Sequence, residues 1–398
     1  MMKCRVCFSE NLSQVIDLGM QPWGNHFLKA DEVGKEPLYP LRLIFCNECS
    51  TSQLDFTVKK EIMFTNHTYL SGITKSLSNH FREIAFYVDS LFKTKSNKNI
   101  LDIGSNDGTQ LKFYKEIGWD ILGVESSTST AKIANDNNIK TINEFYNYEF
   151  AKDINTEFDV INASGVFFHL EELHSVCKGI KHNLKKDGIF VVQFLYIKNI
   201  FNNVAFDQIY HEHLLYYSLH TLNYLLNIYD LEIFDANLTK THGGQMIAYV
   251  CHKGVYDKTK NYINLIKEEI ESKTNELNTY RIFADRVIGL KEKNLNFLNS
   301  MKSNNKTIYG MGAPVKGNTL LNYFKIGTNY LDCLLEKNIL RKGMFSPGMH
   351  IPILIEEEVK TLPDSYYVLA WNFKDEILFN NQHLVEKGVE FYFPIDIV

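Results

Sequence analysis

The chain has 398 residues, of which 45% are hydrophobic and 13% aromatic, with 22 Tyr, 27 Phe and a formal net charge of −5. This length exceeds one ordinary core and predicts two or three globular domains, and the acidic balance excludes the basic field that nucleic acid requires. The opening MMKCRVC lacks an apolar h-region and no later apolar run reaches the length of a bilayer, so a soluble, cytoplasmic protein that binds neither membrane nor nucleic acid is expected.

Residues 1–80 carry two cysteine pairs, Cys4-x-x-Cys7 and Cys46-x-x-Cys49, among short apolar runs. Two residues between cysteines let both sulfurs face one ion, and four thiolates form a closed tetrahedral Zn²⁺ site. The 38 residues between the pairs must themselves fold. With no ligand position open, the metal is expected to be structural. The alternatives are four unrelated buried thiols or a redox pair. Cys177, Cys251 and Cys333 stand singly and read as small core residues.

From 81 to 255 strand-like runs alternate with amphipathic stretches, at Asn99–Ile103, Ile121–Glu125, Val160–Ala163 and Gly188–Phe194. This pattern predicts a parallel sheet with crossover helices. Ile100–Leu111 reads ILDIGSNDGTQL: a strand, a glycine turn, then a helix. Gly104 and Gly108 permit close backbone approach, and Asp102 with Ser105, Asn106 and Asp107 suits an amino-acid ligand. Glu125 closes the next strand, where a carboxylate accepts ribose hydroxyls, and Phe145, in the third strand-like stretch, would flank adenine. Ser126 and Ser164 complete the expected cofactor contacts. The D-x-G-x-x-x-G spacing differs from G-x-G-x-x-G and favours S-adenosylmethionine over NAD. Alone, the turn would also serve as a tight connection.

The densest ionisable set is Tyr210-His211-Glu212-His213, followed by Thr241-His242-Gly243-Gly244. Methylating carbon needs a base that removes a C–H proton made acidic by a neighbouring carbonyl, and a histidine positioned by a carboxylate suits that task. Phenol or imidazole donors would stabilise the enolate oxygen. Two other readings stand beside this one. His211 and His213, at i and i+2 of a strand, would share a face and bind a metal, or the histidines would be structural. His169, beyond the fourth strand and flanked by Phe, reads alone as a core histidine.

Residues 256–305 predict a helical connector, with Ile263, Ile266, Ile270, Leu277, Tyr280, Phe283, Val287 and Leu290 as its apolar face. In 306–398 the strand–turn–helix pattern returns as TIYGMGAPVKGNT (307–319), and Leu331–Asn338 is the next expected strand, containing Glu336. Taken as a dinucleotide fold, this region makes the protein an NAD-dependent or bifunctional oxidoreductase, although Lys316-Gly317-Asn318 departs from the fingerprint. A non-catalytic zinc and nucleotide-binding scaffold is the third class.

The whole chain resembles the three-domain sugar C-methyltransferases that act on nucleotide-activated 4-keto-deoxysugars. The paired C-x-x-C, VIDLGMQPWGNHF (15–27), LDIGSNDGT, YHEHLLYYS (210–218), THGGQ (241–245), GAPVKGNTLLNYFKI (312–326) and SPGMHIPI (346–353) carry the resemblance in the family's order. It implies an α/β protein with an N-terminal zinc-binding module, a Rossmann-like methyltransferase domain and a C-terminal Rossmann-like domain. It implies that His213 removes the proton next to the keto group, at C-3, and that Tyr210, Glu212, His169 and Tyr69 share its pocket. The C-terminal domain would hold no second cofactor and would close over a dTDP- or GDP-linked sugar, bound by Tyr69, His242, Lys316 and Asn318. The bland alternative for Lys316 is a solvated side chain. A monomer or weak oligomer is expected. The chain departs from the family at Gly72, where a Ser is usual, and at Ser164, Gly165 and Phe168, in a stretch that typically reads Asn-Asn-Val-x-Ala-His; these departures bear on the sugar.

Overall fold

The computed structural model describes residues 2–65, 70–73, 75–239 and 243–396. The first sheet is antiparallel, in the order Leu12–Pro22, Leu38–Cys46, Ser52–Leu54, Leu215–Tyr216. Ile16 and Leu18 point inward while Asp17 and Gly19 point out, the period of two that a half-buried strand requires. The fourth strand comes from more than 150 positions further along the chain, so this sheet is completed by the central region.

The central sheet has seven strands, in the order Leu231–Thr239, Gln245–His252, Leu184–Leu195, Phe158–Ser164, Asn99–Ile103, Asp120–Val124, Thr141–Ile142. Gln245–His252 runs antiparallel to both neighbours and the other adjacent pairs are parallel. Ile100, Leu101, Val160, Ile161, Phe190 and Val191 are buried on both faces, as the interior of a helix-covered parallel sheet demands. The helix Lys75–Leu91 turns Leu77, Phe81, Ile84, Ala85 and Val88 onto this sheet at helical spacing. Strand order reverses between Asn99–Ile103 and Phe158–Ser164, which opens a crevice outside their carboxyl ends.

The stretch expected to be one helical connector is two helices, Lys260–Glu271 and Leu277–Ser303. Tyr280, Phe283 and Val287 are buried, but Ile263 and Ile270 are 54% and 70% exposed, so the apolar stripe is narrower on the first helix than its sequence predicts. The last sheet is wholly parallel, in the order Ile353–Ile355, Leu334–Glu336, Ile308–Met311, Ser365–Val368, Glu390–Tyr392. Backbone bonds of 3.0 and 2.8 Å between Leu28 and Phe345, and a 2.6 Å contact of Glu36 with His350, bind it to the N-terminal region. No helix among the described residues is long and apolar enough to cross a membrane.

Candidate active site

The glycine turn follows the strand Asn99–Ile103 and sits in the crevice of the central sheet. Gly104 and Gly108 have φ of 68° and 77°, a left-handed region that L side chains avoid. A Cβ on Gly104 would stand 2.5 Å from Val166, and one on Gly108 2.7 Å from Ile139. The cleft beside them is lined by Ser71, Phe81, Asp102, Gly104, Ser105, Gln110 and Ser164. Burial pushes the Asp102 carboxyl up to about 7; a 2.6 Å hydrogen bond from Asn162 opposes this and the nearby charge of Glu125 adds to it. The buried Ser105 hydroxyl has no hydrogen-bond partner among the described residues, which leaves a polar group for a ligand.

Glu125 accepts the amides of Asn106 at 2.8 Å and Ser127 at 2.7 Å, and so ties the two ligand-side turns together. Ser126 is half-buried beside it. Asn106 and Asp107 are engaged elsewhere: they accept the amides of Ser71 at 3.0 Å and Gly72 at 2.8 Å, and Asp107 also binds Thr109. Their side chains therefore fasten the 70–73 segment over the turn, and a ligand amino acid would meet backbone here. Phe145 lies in the loop after Thr141–Ile142, outside any strand, with the Lys60 ammonium 4.6 Å from its ring centre. Sequence reasoning missed Asn162 and Phe81, which carry no motif of their own, and Gln110, which lies within the ILDIGSNDGTQL stretch.

Tyr210–His213 is a turn, not a strand, so the i and i+2 pattern does not put His211 and His213 on one face. The ring of His213 packs against Tyr210 at 3.8 Å, Phe168 at 4.7 Å and His169 at 5.1 Å. Its Nδ1 donates to the Gln208 carbonyl at 2.7 Å, and that of His169 to the Glu212 carbonyl at 2.5 Å. A carbonyl only accepts, so in each neutral ring the proton is on Nδ1 and the lone pair on Nε2. The carboxyl of Glu212 turns to the N-terminal region, where Trp23 Nε1 donates to it at 2.8 Å; burial pushes it up to about 7 against the bonds from Trp23 and Asn25. His211 faces Tyr39 instead, with its imidazole lowered to about 4 by burial. Among the described residues the cysteines are the only cluster spaced for a metal, which removes the histidine–metal reading there. Tyr69 and His242 fall outside the described residues.

Lys316 and Asn318 lie in the first turn of the helix Val315–Phe324, Lys316 half-buried and Asn318 buried. Lys316 donates to Asn372 at 2.8 Å, so it is not a solvated lysine, and Asn318 donates to the Gly24 carbonyl at 2.7 Å. Neither is open to a phosphate as it stands. Glu336, at the position of a dinucleotide ribose acceptor, is 3.0 Å from Arg341 and accepts the amides of Lys337 and Asn338 at 2.8 and 3.0 Å. Its acceptor capacity is thus spent within the protein, which disfavours the oxidoreductase reading.

The Sγ atoms of Cys4, Cys7, Cys46 and Cys49 all lie within 4.8 Å of one another, with Cys4–Cys49 at 3.6 Å and Cys7–Cys46 at 3.5 Å. A tetrahedron with bonds of about 2.3 Å to sulfur has edges near 3.8 Å, so the group fits Zn²⁺. Residues 4–64 match the family model of a putative zinc binding domain, 77–236 that of a methyltransferase domain, and 240–396 that of a C-methyltransferase C-terminal domain. The chain matches these three models in that order, from residue 4 to residue 396. It is 28% identical to the C-methyltransferase NovU of Streptomyces niveus over 99% of this chain and 95% of that protein. A stretch of 117 residues is 31% identical to the release factor glutamine methyltransferase of Buchnera aphidicola, covering 26% of this chain and 42% of that one. Among solved structures, the plantazolicin methyltransferase BpumL in complex with SAH aligns at a TM-score of 0.35 and 17% identity, over 44% of this chain and 82% of that one. The chain thus carries a methyltransferase domain beside a four-cysteine site that fits zinc.

Proposed function

We propose that this protein is a C-methyltransferase that methylates a nucleotide-linked 4-keto-deoxysugar, dTDP- or GDP-activated, at C-3. His213 is the base. The observation that carries this reading is the turn Tyr210–His213, where a buried imidazole with its proton fixed on Nδ1 lies against a phenol and a second imidazole. Nε2 of His213 removes the proton beside the ketone, while Tyr210, with Tyr69, donates to the developing enolate oxygen, and His169, its ring against that of His213, lines the pocket. Glu212, raised towards neutrality, joins Trp23 to the same turn and holds the pocket wall. Asp102, Gly104, Ser105, Gly108, Glu125, Ser126, Phe145 and Ser164 form the donor side, and Asn106 and Asp107 position it. When bound there, S-adenosylmethionine supplies the electrophilic methyl group. Holding the two reactants in line supplies much of the acceleration. We place the nucleotide between the central and C-terminal regions, near His242.

The test is mass spectrometry of dTDP- and GDP-linked 4-keto-deoxysugars incubated with enzyme and donor, repeated in D₂O. The expected product gains one methylene on carbon, and the acidic C–H exchanges with solvent. A new methyl on oxygen or nitrogen overturns the reading.

A further inference from the structure

Asp207 is wholly buried in the single turn Phe206–Gln208. Its Oδ2 accepts Trp371 Nε1 at 2.6 Å, and Lys316 Nζ stands 3.9 Å from the same oxygen. The Lys316 ammonium also lies 3.7 Å from the centre of the Trp371 ring. Lys316 lies in the first turn of one helix of the C-terminal sheet and Trp371 begins the short turn Trp371–Phe373 after another of its strands. A helix start and a short turn beside that sheet thus converge on one carboxylate of the central region. Asp207 Oδ1 is buried with no hydrogen-bond partner among the described residues. A buried, half-satisfied ion pair is a poor device for stability, since apolar residues of the same volume do as well or better. Its place in the chain suggests another use. The next residue is Gln208, whose carbonyl holds Nδ1 of His213 at 2.7 Å, and the turn is closed by Gln208 N to Ala205 O at 3.1 Å and Ile209 N to Phe206 O at 2.9 Å.

We propose that Lys316, Asp207 and Trp371 form a positioning clamp across the interface, which fixes the Phe206–Gln208 turn so that the Gln208 carbonyl keeps His213 in its Nδ1-protonated form. The clamp deepens, and its purpose rests on, the reading of His213 as the base. Burial lowers Lys316 to about 8, opposed by the charge of Asp207, and raises Asp207, opposed by Lys316 and Trp371. The pair therefore stays responsive to each partner's loss. Attraction between the two charges is strong in this dry setting, so removing one leaves the other unbalanced and the turn free to shift.

The test uses full-length protein labelled with ¹⁵N-histidine, with the ring signals of His213 assigned by their loss in His213→Asn. Wild type is expected to show the Nδ1-protonated signature at His213. Lys316→Met and Asp207→Asn should each lose that single-tautomer pattern while keeping zinc and S-adenosylmethionine binding, Lys316→Arg should restore it, and the double variant should look no worse than either single. Trp371→Phe, which keeps an aromatic ring and loses the Nε1 donor together with the five-membered ring, gives the answer if the charge variants fail to fold: it should broaden the same signals. An unchanged His213 signature in any folded variant of the three overturns the clamp. This readout needs no turnover, so an active His213→Asn enzyme would remove the base reading without deciding the clamp.

Discussion

Nδ1 of His213 donates to the carbonyl oxygen of Gln208 at 2.7 Å. That bond leaves Nε2 as the basic atom of the neutral ring. His213→Asn should lower turnover by about 10²- to 10⁴-fold, the usual span for a lost general base, with S-adenosylmethionine affinity unchanged. Calorimetric titration of the donor beside product formation checks it; turnover at the wild-type rate removes His213 as base.

Glu212 gives a pH test with a definite sign. Its carboxyl is raised to about 7 in the folded protein by burial, so the fold favours the neutral form. The associated stability is complete below the unfolded value near 4.5 and is lost as pH rises through about 7. Glu212→Gln keeps a neutral group there at every pH. Relative to wild type, this variant should gain up to about 3 kcal/mol between pH 4 and pH 8. Denaturant melts at the two pH values measure the difference, and a gap that does not change with pH contradicts the assignment.

Zinc should matter well away from the metal. The strand Leu38–Cys46 ends on a ligand, and its sheet includes Leu215–Tyr216, two residues after His213. Cys46→Ser should lose zinc, lower the melting temperature and reduce methyl transfer together. Metal analysis and a melt on the same preparation suffice, and full activity in zinc-free protein would refute the coupling.

Gly72 is held against the donor loop. A Cβ there would lie 2.7 Å from Thr109 Oγ1, closer than real contacts allow, and 3.0 Å from Asp107 Oδ2, a tight contact. Gly72→Ser, the residue usual in the resembling family, should therefore destabilise by about 1–3 kcal/mol and weaken donor binding. Adding Thr109→Ala should recover part of that loss. If Gly72→Ser binds the donor as tightly as wild type, the close fit has no functional weight.

Much of the fold could be read in advance because its signals are local. The cysteine spacing, the two glycine turns and the apolar runs of Asn99–Ile103 and Phe158–Ser164 depend on near neighbours alone. What escaped was long-range. Nothing around Leu215 announces that it pairs with Gln53, and nothing around Lys316 announces a carboxylate 109 positions earlier. Lys316 at a helix start reads as a phosphate ligand until its partner Asp207 is seen. Ile263 and Ile270 misled in the opposite direction: their spacing is that of a buried face, yet the neighbouring helix leaves them in solvent. Trp23 lay within a recognised motif, but its contact with Glu212 spans 189 positions and has no local trace.

The pairing of Ser52–Leu54 with Leu215–Tyr216 also has a consequence for biosynthesis. A ribosome releases the metal-binding cysteines early, yet the sheet that carries them waits for a strand made much later. Until then Ser52–Leu54 is an uncovered edge, the kind of surface that recruits foreign strands. A truncated gene product ending before residue 215 would keep that edge permanently, so splitting the protein at the boundary of its first sheet should yield an aggregation-prone fragment rather than an independent module.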